Sequence, residues 1–123
     1  LRQYRFAVAK RILEFPAGTL EEGEDPLSSM KRELAEEAGY EANQWNSLGE
    51  MLPCPGYSDE MINLFLARDL TKLEERPQGD PDEDLEILHM SIEEIDKHLQ
   101  DPEEALDGKS IAAWYRARKF LTI

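Results

Sequence analysis

Cysteine is nearly absent from this 123-residue chain, since Cys54 is the single one. One cysteine excludes an internal disulfide and a zinc site built from several thiolates, and it fits a reducing cytoplasm. The sequence also has no apolar run long enough to span a bilayer and no signal-peptide pattern. Basic residues are scarce, with 14 Lys and Arg against 27 Asp and Glu and a formal charge of −13. That charge disfavours nucleic acid or an anionic membrane as a partner, so an anionic substrate would need a metal cation as mediator.

The length of the chain predicts one domain, residues 1–123, with apolar content for a single modest core. The chain opens at Leu1, already inside strand-like sequence. We therefore expect that an upstream segment of the natural protein is missing here.

Runs of apolar residues and turn signals predict an α+β arrangement. The expected strands cover residues 4–9 and 12–15 around a bend at Lys10-Arg11, and then 45–52, 61–67 and 85–90. The expected helices cover 25–38, 91–100 with a capping box of Ser91 and Glu94, and 110–121, where Trp114 and Tyr115 are expected in the core. Residues 71–84 are expected to form an exposed loop.

The first of these helices has clear boundaries and two distinct faces. Asp25-Pro26 is a typical start, and Gly39 is a typical left-handed end. Leu27, Met30, Leu34 and Ala38 recur at spacings of three and four, which predicts one buried stripe. The helix should therefore be held by its apolar face and present its other residues to a cleft.

Three glutamates, Glu33, Glu36 and Glu37, fall within one arc of this helix, because successive residues turn by about 100°. Like charges so close together repel unless a cation lies between them. Clustered carboxylate oxygens are ligands that Mg²⁺ or Mn²⁺ prefers. The alternative is that the three acids form an ordinary solvated face.

The wider pattern favours the metal site. Gly18, Glu24, Arg32-Glu33, Leu34, Glu36-Glu37, Gly39 and Tyr40 follow the order G-x5-E-x7-R-E-U-x-E-E-x-G-U, with Tyr40 where an aliphatic residue is more usual. On these residues the chain resembles the Nudix hydrolase family, and residues 18–40 correspond to its Nudix box.

The resemblance implies a Nudix-type α/β/α sandwich with a mixed β-sheet, and hydrolysis of a nucleoside diphosphate linked to another moiety. It implies that Glu33, Glu36, Glu37 and the carbonyl of Ala17 bind the metal. It also implies that Arg32 orients a neighbouring glutamate, that Glu24 stabilises the loop, and that Gly18 and Gly39 have structural roles.

Outside the box, the chain resembles the ADP-ribose pyrophosphatase branch. The features are Arg2-Gln3-Tyr4-Arg5, Pro16-Ala17-Gly18 and the segment from Pro55 to Glu60. In that branch Arg5 would contact a substrate phosphate, and Glu60 would lie near the metal or substrate. That branch usually has an additional N-terminal sheet region that builds the dimer, and residue 1 of this sequence falls after it. A homodimer is therefore expected, but its mode and the base specificity would depend on the segment expected upstream of Leu1.

The resemblance places the general base in an acidic loop before the last strand, where Glu83 is the selected residue, with Glu36 and Glu37 also assigned to catalysis. The simpler readings are that Arg5 is a surface residue paired with one of many acids, and that the acidic loop only solubilises the chain.

The expected function is Mg²⁺-dependent hydrolysis of the pyrophosphate of ADP-ribose or a similar nucleoside diphosphate sugar, giving AMP and a sugar phosphate. Metal ions would screen the negative oxygens and acidify a water molecule. Alternatives are a Nudix hydrolase for GDP-mannose, a dinucleoside polyphosphate or a nucleoside triphosphate, and a non-catalytic nucleotide-sensing module.

Overall fold

A computed structural model describes residues 1–76 and 84–123. The strands are β1 (Arg2–Arg5), β2 (Lys10–Leu13), β3 (Tyr40–Met51), β4 (Ile62–Lys72) and β5 (Leu85–Glu86), and the helices are α1 (Pro26–Glu33), α2 (Ile92–Gln100) and α3 (Gly108–Leu121). Helices and antiparallel sheets occur together, so the predicted α+β class is confirmed. Within the two described ranges, no helix has the length and apolar character needed to cross a bilayer.

The strands form two sheets. One has the order β2-β1-β5, and the other is a long ribbon of β3 and β4 whose register runs from Tyr40 opposite Lys72 to Met51 opposite Ile62. The register shifts between Ser47 and Gly49, where Gly49 has a φ of 84°. Every pairing among the described strands is antiparallel, so the parallel pair expected of a mixed sheet is not among them.

The hairpin of β1 and β2 corrects the prediction of a strand over residues 4–9. β1 ends at Arg5, and the chain then turns, with the Val8 amide donating to the Arg5 carbonyl at 3.2 Å. Phe6 is 89% exposed in this turn. Aromatic and branched residues favour strands only where a neighbouring strand supplies hydrogen bonds, and here the turn reverses the chain.

The ribbon is longer than predicted, while β5 is shorter. β3 begins at Tyr40 rather than near Trp45, and β4 continues to Lys72, which the sequence placed in a loop. Cross-strand pairing accounts for the extension, because it satisfies backbone groups of polar residues that show no strand signal of their own. Only Leu85–Glu86 pairs in the region predicted as a strand from 85 to 90.

The helix that carries the predicted metal face begins and ends as expected. The Asp25 side chain accepts a hydrogen bond from the Ser28 amide at 3.1 Å. Residues Leu34–Ala38 continue α1 as a wider π-helical turn, and Gly39 ends it with a φ of 74°. This left-handed end favours glycine, because a Cβ would be strained there.

The core lies between the ribbon and α3. Leu48 of β3, Leu64 of β4 and Ala117 of α3 form its buried centre, with partly buried side chains such as Phe120 around them. Trp114 is also buried, but Tyr115 is 77% exposed, so its predicted place in the core is wrong. Neighbouring positions on a helix point in different directions, and only one of this pair can face the sheet.

Candidate active site

Arg32 connects three of the four box glutamates. Its Nε and Nη2 donate to the two carboxylate oxygens of Glu24 at 3.0 and 3.1 Å. Its Nη1 lies 3.1 Å from Glu36 Oε2 and 3.0 Å from Glu33 Oε1. The planar guanidinium, with its five donors, suits such a role better than a lysine would. One cation therefore holds the loop acid and two helix acids in a fixed relation.

This contact favours the ionised form of Glu24. Hydrogen bonding from Arg32 is the main cause that lowers the pKa of Glu24 to about 2, and the same pair raises the pKa of Arg32. Glu24 Oε1 also accepts from the Glu21 amide at 3.2 Å. Glu24 thus ties the loop before α1 to the helix through charge-assisted hydrogen bonds.

Gly18 makes room for Glu33. A Cβ built on Gly18 would lie 2.0 Å from Glu33 Cδ and 2.1 Å from Glu33 Oε1. No real contact is this short, so any side chain at position 18 would displace the Glu33 carboxylate. Glu33 itself is only 8% exposed. The loop glycine and the helix glutamate therefore form one packed unit, and this packing is a structural reason for glycine at the first position of the box.

Glu37 is the most buried of the box acids, at 5% exposure. The Ala17 amide donates to Glu37 Oε2 at 3.0 Å. The family resemblance implies that the Ala17 carbonyl binds the metal, and the amide of the same residue contacts one of the expected ligands. Burial of an ionised carboxylate costs free energy unless hydrogen bonds or cations compensate it. The Pro16–Gly18 loop therefore holds the buried Glu37 carboxylate in place.

The carboxylates do not all converge. Among residues 1–76 and 84–123, no three acidic, histidine or cysteine side chains are grouped so that they could hold a metal ion. Arg32 explains this arrangement, because the carboxylates of Glu33 and Glu36 turn towards its Nη1. The donor chemistry still fits Mg²⁺ or Mn²⁺, since Glu33, Glu36 and Glu37 supply hard oxygen atoms on one short stretch of helix.

Arg5 is engaged by an acid on the neighbouring strand end. Its Nε and Nη2 each donate at 2.7 Å to the two oxygens of Glu14. This is the pairing that the simpler reading of the sequence expected for Arg5. The hydrogen bond to Glu14 is the main cause that raises the pKa of Arg5, and the charge of Glu37 adds to it. Arg5 therefore lies within electrostatic reach of the box, with 44% of its side chain exposed.

Glu60, another predicted site residue, makes no hydrogen bond or ion pair with the box among residues 1–76 and 84–123. Glu60 is exposed, and its amide donates to Ser58 Oγ at 3.1 Å. Glu83, the selected general base, lies outside the described residues.

Two cavities of about 490 and 580 Å³ also lie away from the box residues, one along α3 and one beside β2.

Glu14 and Lys109 were not among the residues predicted from the sequence. Glu14 is 6% exposed and contacts both Arg5 and Lys109, which belongs to α3. A signal was present, because Glu14 is a lone acid within the apolar run Ile12-Leu13-Glu14-Phe15. Lys109 had no such signal, since its contact with Glu14 spans 95 residues.

Comparison with known proteins agrees with the family resemblance of residues 18–40. The model of the NUDIX domain matches residues 2–115. The chain is 37% identical over 113 residues to the ADP-ribose pyrophosphatase of Bacillus subtilis strain 168, and equally to the methanol dehydrogenase activator of Bacillus methanolicus. Both matches cover 92% of this chain and 60% of the relative, so the chain spans about three fifths of the length of these relatives. A crystal structure of an ADP compounds hydrolase superposes with a TM-score of 0.86 at 26% identity, covering 98% of this chain and 64% of that one.

Proposed function

The chain belongs to the NUDIX domain family, and from this premise we propose that it hydrolyses the pyrophosphate of ADP-ribose or a similar nucleoside diphosphate sugar to AMP and a sugar phosphate. The observation that carries the proposal is the arrangement of Glu33 and Glu37. Both are less than a tenth exposed, and each is set by the loop before the helix, Glu33 over Gly18 and Glu37 by the Ala17 amide.

Glu33, Glu36, Glu37 and the Ala17 carbonyl would hold the divalent cation, Mg²⁺ or Mn²⁺. A cation bound there would screen the pyrophosphate charge and lower the pKa of water. Glu33 and Glu36 would exchange part of their contact with Arg32 for the cation. Arg32 also donates two hydrogen bonds to Glu24, and these would keep the loop and the helix joined with a cation bound.

The rest of the assignment follows the branch resemblance. Arg5 would bind a substrate phosphate, and Glu60 would lie near the metal or the substrate. Glu83 would act as the general base, and Glu36 and Glu37 would take part in catalysis as metal ligands. We propose that residues 1–123 form a single active domain and that the enzyme is a cytoplasmic homodimer. Its partner would be a small-molecule nucleotide, and neither nucleic acid nor a membrane.

The test is turnover of ADP-ribose with Mg²⁺, with and without a chelator. Glu37→Gln should lower kcat/KM by more than about 100-fold, because loss of a group that merely supports a metal ligand already costs about 10–100-fold. Glu93→Gln, at an exposed position of α2, is the matched control and should retain the wild-type rate. A wild-type rate in Glu37→Gln would overturn the metal assignment.

A second candidate keeps the chemistry and changes the substrate. Two relatives of equal identity have different names, one a pyrophosphatase and one an activator of another enzyme, so identity alone does not select the substrate. A panel of ADP-ribose, GDP-mannose, a dinucleoside polyphosphate and a nucleoside triphosphate separates these cases. Tight ADP-ribose binding without product would instead favour a nucleotide-sensing module.

A further inference from the structure

An ion-pair cluster around the buried carboxylate of Glu14 lies next to the Nudix box but is not part of it. Glu14, directly after β2, accepts two hydrogen bonds from Arg5 of β1, each at 2.7 Å. Lys109 of α3 donates to Glu14 Oε1, and it also contacts both oxygens of Asp107 at 3.1 Å. The side chain of Glu14 is 5% exposed. Three separate elements thus meet at one carboxylate.

Glu14 is ionised in this cluster. Burial acts to raise its pKa, but the hydrogen bonds from Arg5 and Lys109 outweigh burial, and the net pKa is below the usual value. A buried carboxylate with two cationic donors holds them in fixed geometry, because moving either one exposes an uncompensated charge. The position of the Arg5 guanidinium is therefore set by Glu14, and the position of Glu14 is set in part by α3.

The cluster is joined to the box by a short piece of chain. Three residues after Glu14, the Ala17 amide contacts Glu37. The contacts of Arg5 with Glu14 use Nε and Nη2, while Nη1 makes no hydrogen bond among the described residues. The guanidinium is planar, so an anion can bind at the edge that faces away from Glu14.

We propose that Glu14, supported by Lys109, is a positioning residue that holds Arg5 with its outer edge directed at the diphosphate of the bound substrate. This inference rests on the proposed function and adds two residues to it. A long arginine side chain otherwise loses rotamer freedom when it binds an anion. Fixing it in advance removes that cost from substrate binding.

A purely structural role makes a different prediction. If the cluster only joins β1, β2 and α3, loss of Glu14 lowers thermal stability and lowers activity whether or not Arg5 is present. If Glu14 acts through Arg5, its effect on substrate binding disappears once Arg5 has been removed. A double-mutant cycle separates the two roles.

The experiment measures KM and kcat for ADP-ribose in the wild type, Glu14→Gln, Arg5→Ala and the double variant. We expect Glu14→Gln to raise KM about tenfold with kcat within about twofold of wild type. In the Arg5→Ala background it should change KM less than about twofold. Arg118→Ala is the control. It removes an ion pair between Arg118 Nε of α3 and Asp96 Oδ1 of α2, which lie 3.8 Å apart, and it should leave KM unchanged.

Lys109 gives a second test should Glu14→Gln fold poorly. Lys109→Met should raise KM a few-fold, and Lys109→Arg should restore it, because arginine keeps the charge and a donor to Glu14. Wild-type KM in both Glu14→Gln and Lys109→Met overturns the proposal, as does an equal KM increase with and without Arg5. If the wild type does not hydrolyse ADP-ribose, the proposed function fails. The double-mutant cycle is then repeated with the calorimetric Kd for ADP in place of KM.

Discussion

Replacement of Gly18 by alanine tests the packing between the loop and the helix most directly. The new Cβ would lie 2.0 Å from Glu33 Cδ, whereas ordinary contact begins at 3.4 Å. The Glu33 carboxylate would have to retreat by about 1.4 Å. Its side chain is only 11% exposed and lies 3.0 Å from Arg32 Nη1, so the movement would disturb that ion pair as well.

The magnitude follows from two effects. Overpacking of a filled site costs about 1–3 kcal/mol, which for a domain of this length corresponds to a Tm lowered by roughly 4 °C per kcal/mol. A misplacement of about 1 Å at a reacting centre costs about 100-fold in rate. We therefore expect Gly18→Ala to lose about 100-fold in kcat with ADP-ribose and to need more Mg²⁺ for half-maximal activity.

The assay combines a Mg²⁺ titration of kcat with a calorimetric Tm. Gly108→Ala is the matched control, because no atom lies within 4 Å of its built Cβ, and it should retain activity and Tm. Wild-type rate and wild-type Mg²⁺ dependence in Gly18→Ala would refute the reasoning, since Glu33 would then not need its observed position.

Two further predictions concern Arg32. Arg32→Lys should lower kcat/KM about 10–100-fold, because one ammonium group cannot replace the contacts with Glu24, Glu33 and Glu36 together. Steady-state kinetics measures this loss, and a wild-type kcat/KM in Arg32→Lys would contradict the prediction. The pKa of Glu24 falls from 4.5 to about 2 on folding, so its contribution to stability is complete above pH 4.5 and is lost as the pH falls towards 2. Urea unfolding from pH 6 to 2 should therefore show a smaller loss of unfolding free energy in Glu24→Gln than in the wild type. An equal dependence of this free energy on pH in the two proteins would contradict the prediction.

Local chemistry made much of the helix predictable. Asp25 and Gly39 define its ends because capping and a left-handed termination depend on neighbouring residues alone. Ser91 caps α2 for the same reason, accepting from the Glu94 amide at 3.1 Å. The three helix glutamates, Glu33, Glu36 and Glu37, were expected on one face because helical geometry sets the angle between successive residues.

Elements that depend on distant partners were predicted less well. The ribbon of β3 and β4 extends into polar sequence because each strand satisfies the other, and that pairing is not visible in either segment alone. The hairpin turn at Phe6–Ala9 had the composition of a strand. Tyr115 had the composition of a core residue, but its place on α3 directs it to solvent.

The sequence by itself determined the order and spacing of the box, the helix that carries it, and the family to which the chain belongs. Only the tertiary structure decided that Gly18 packs on Glu33 and that Arg32 contacts three carboxylates at once. It also decided that Lys109 reaches Glu14 across 95 residues and that Glu14 then holds Arg5. The physical reason is range: caps and helical faces are set by residues within one turn, whereas the position of a charged side chain is set by whichever distant groups compensate its burial.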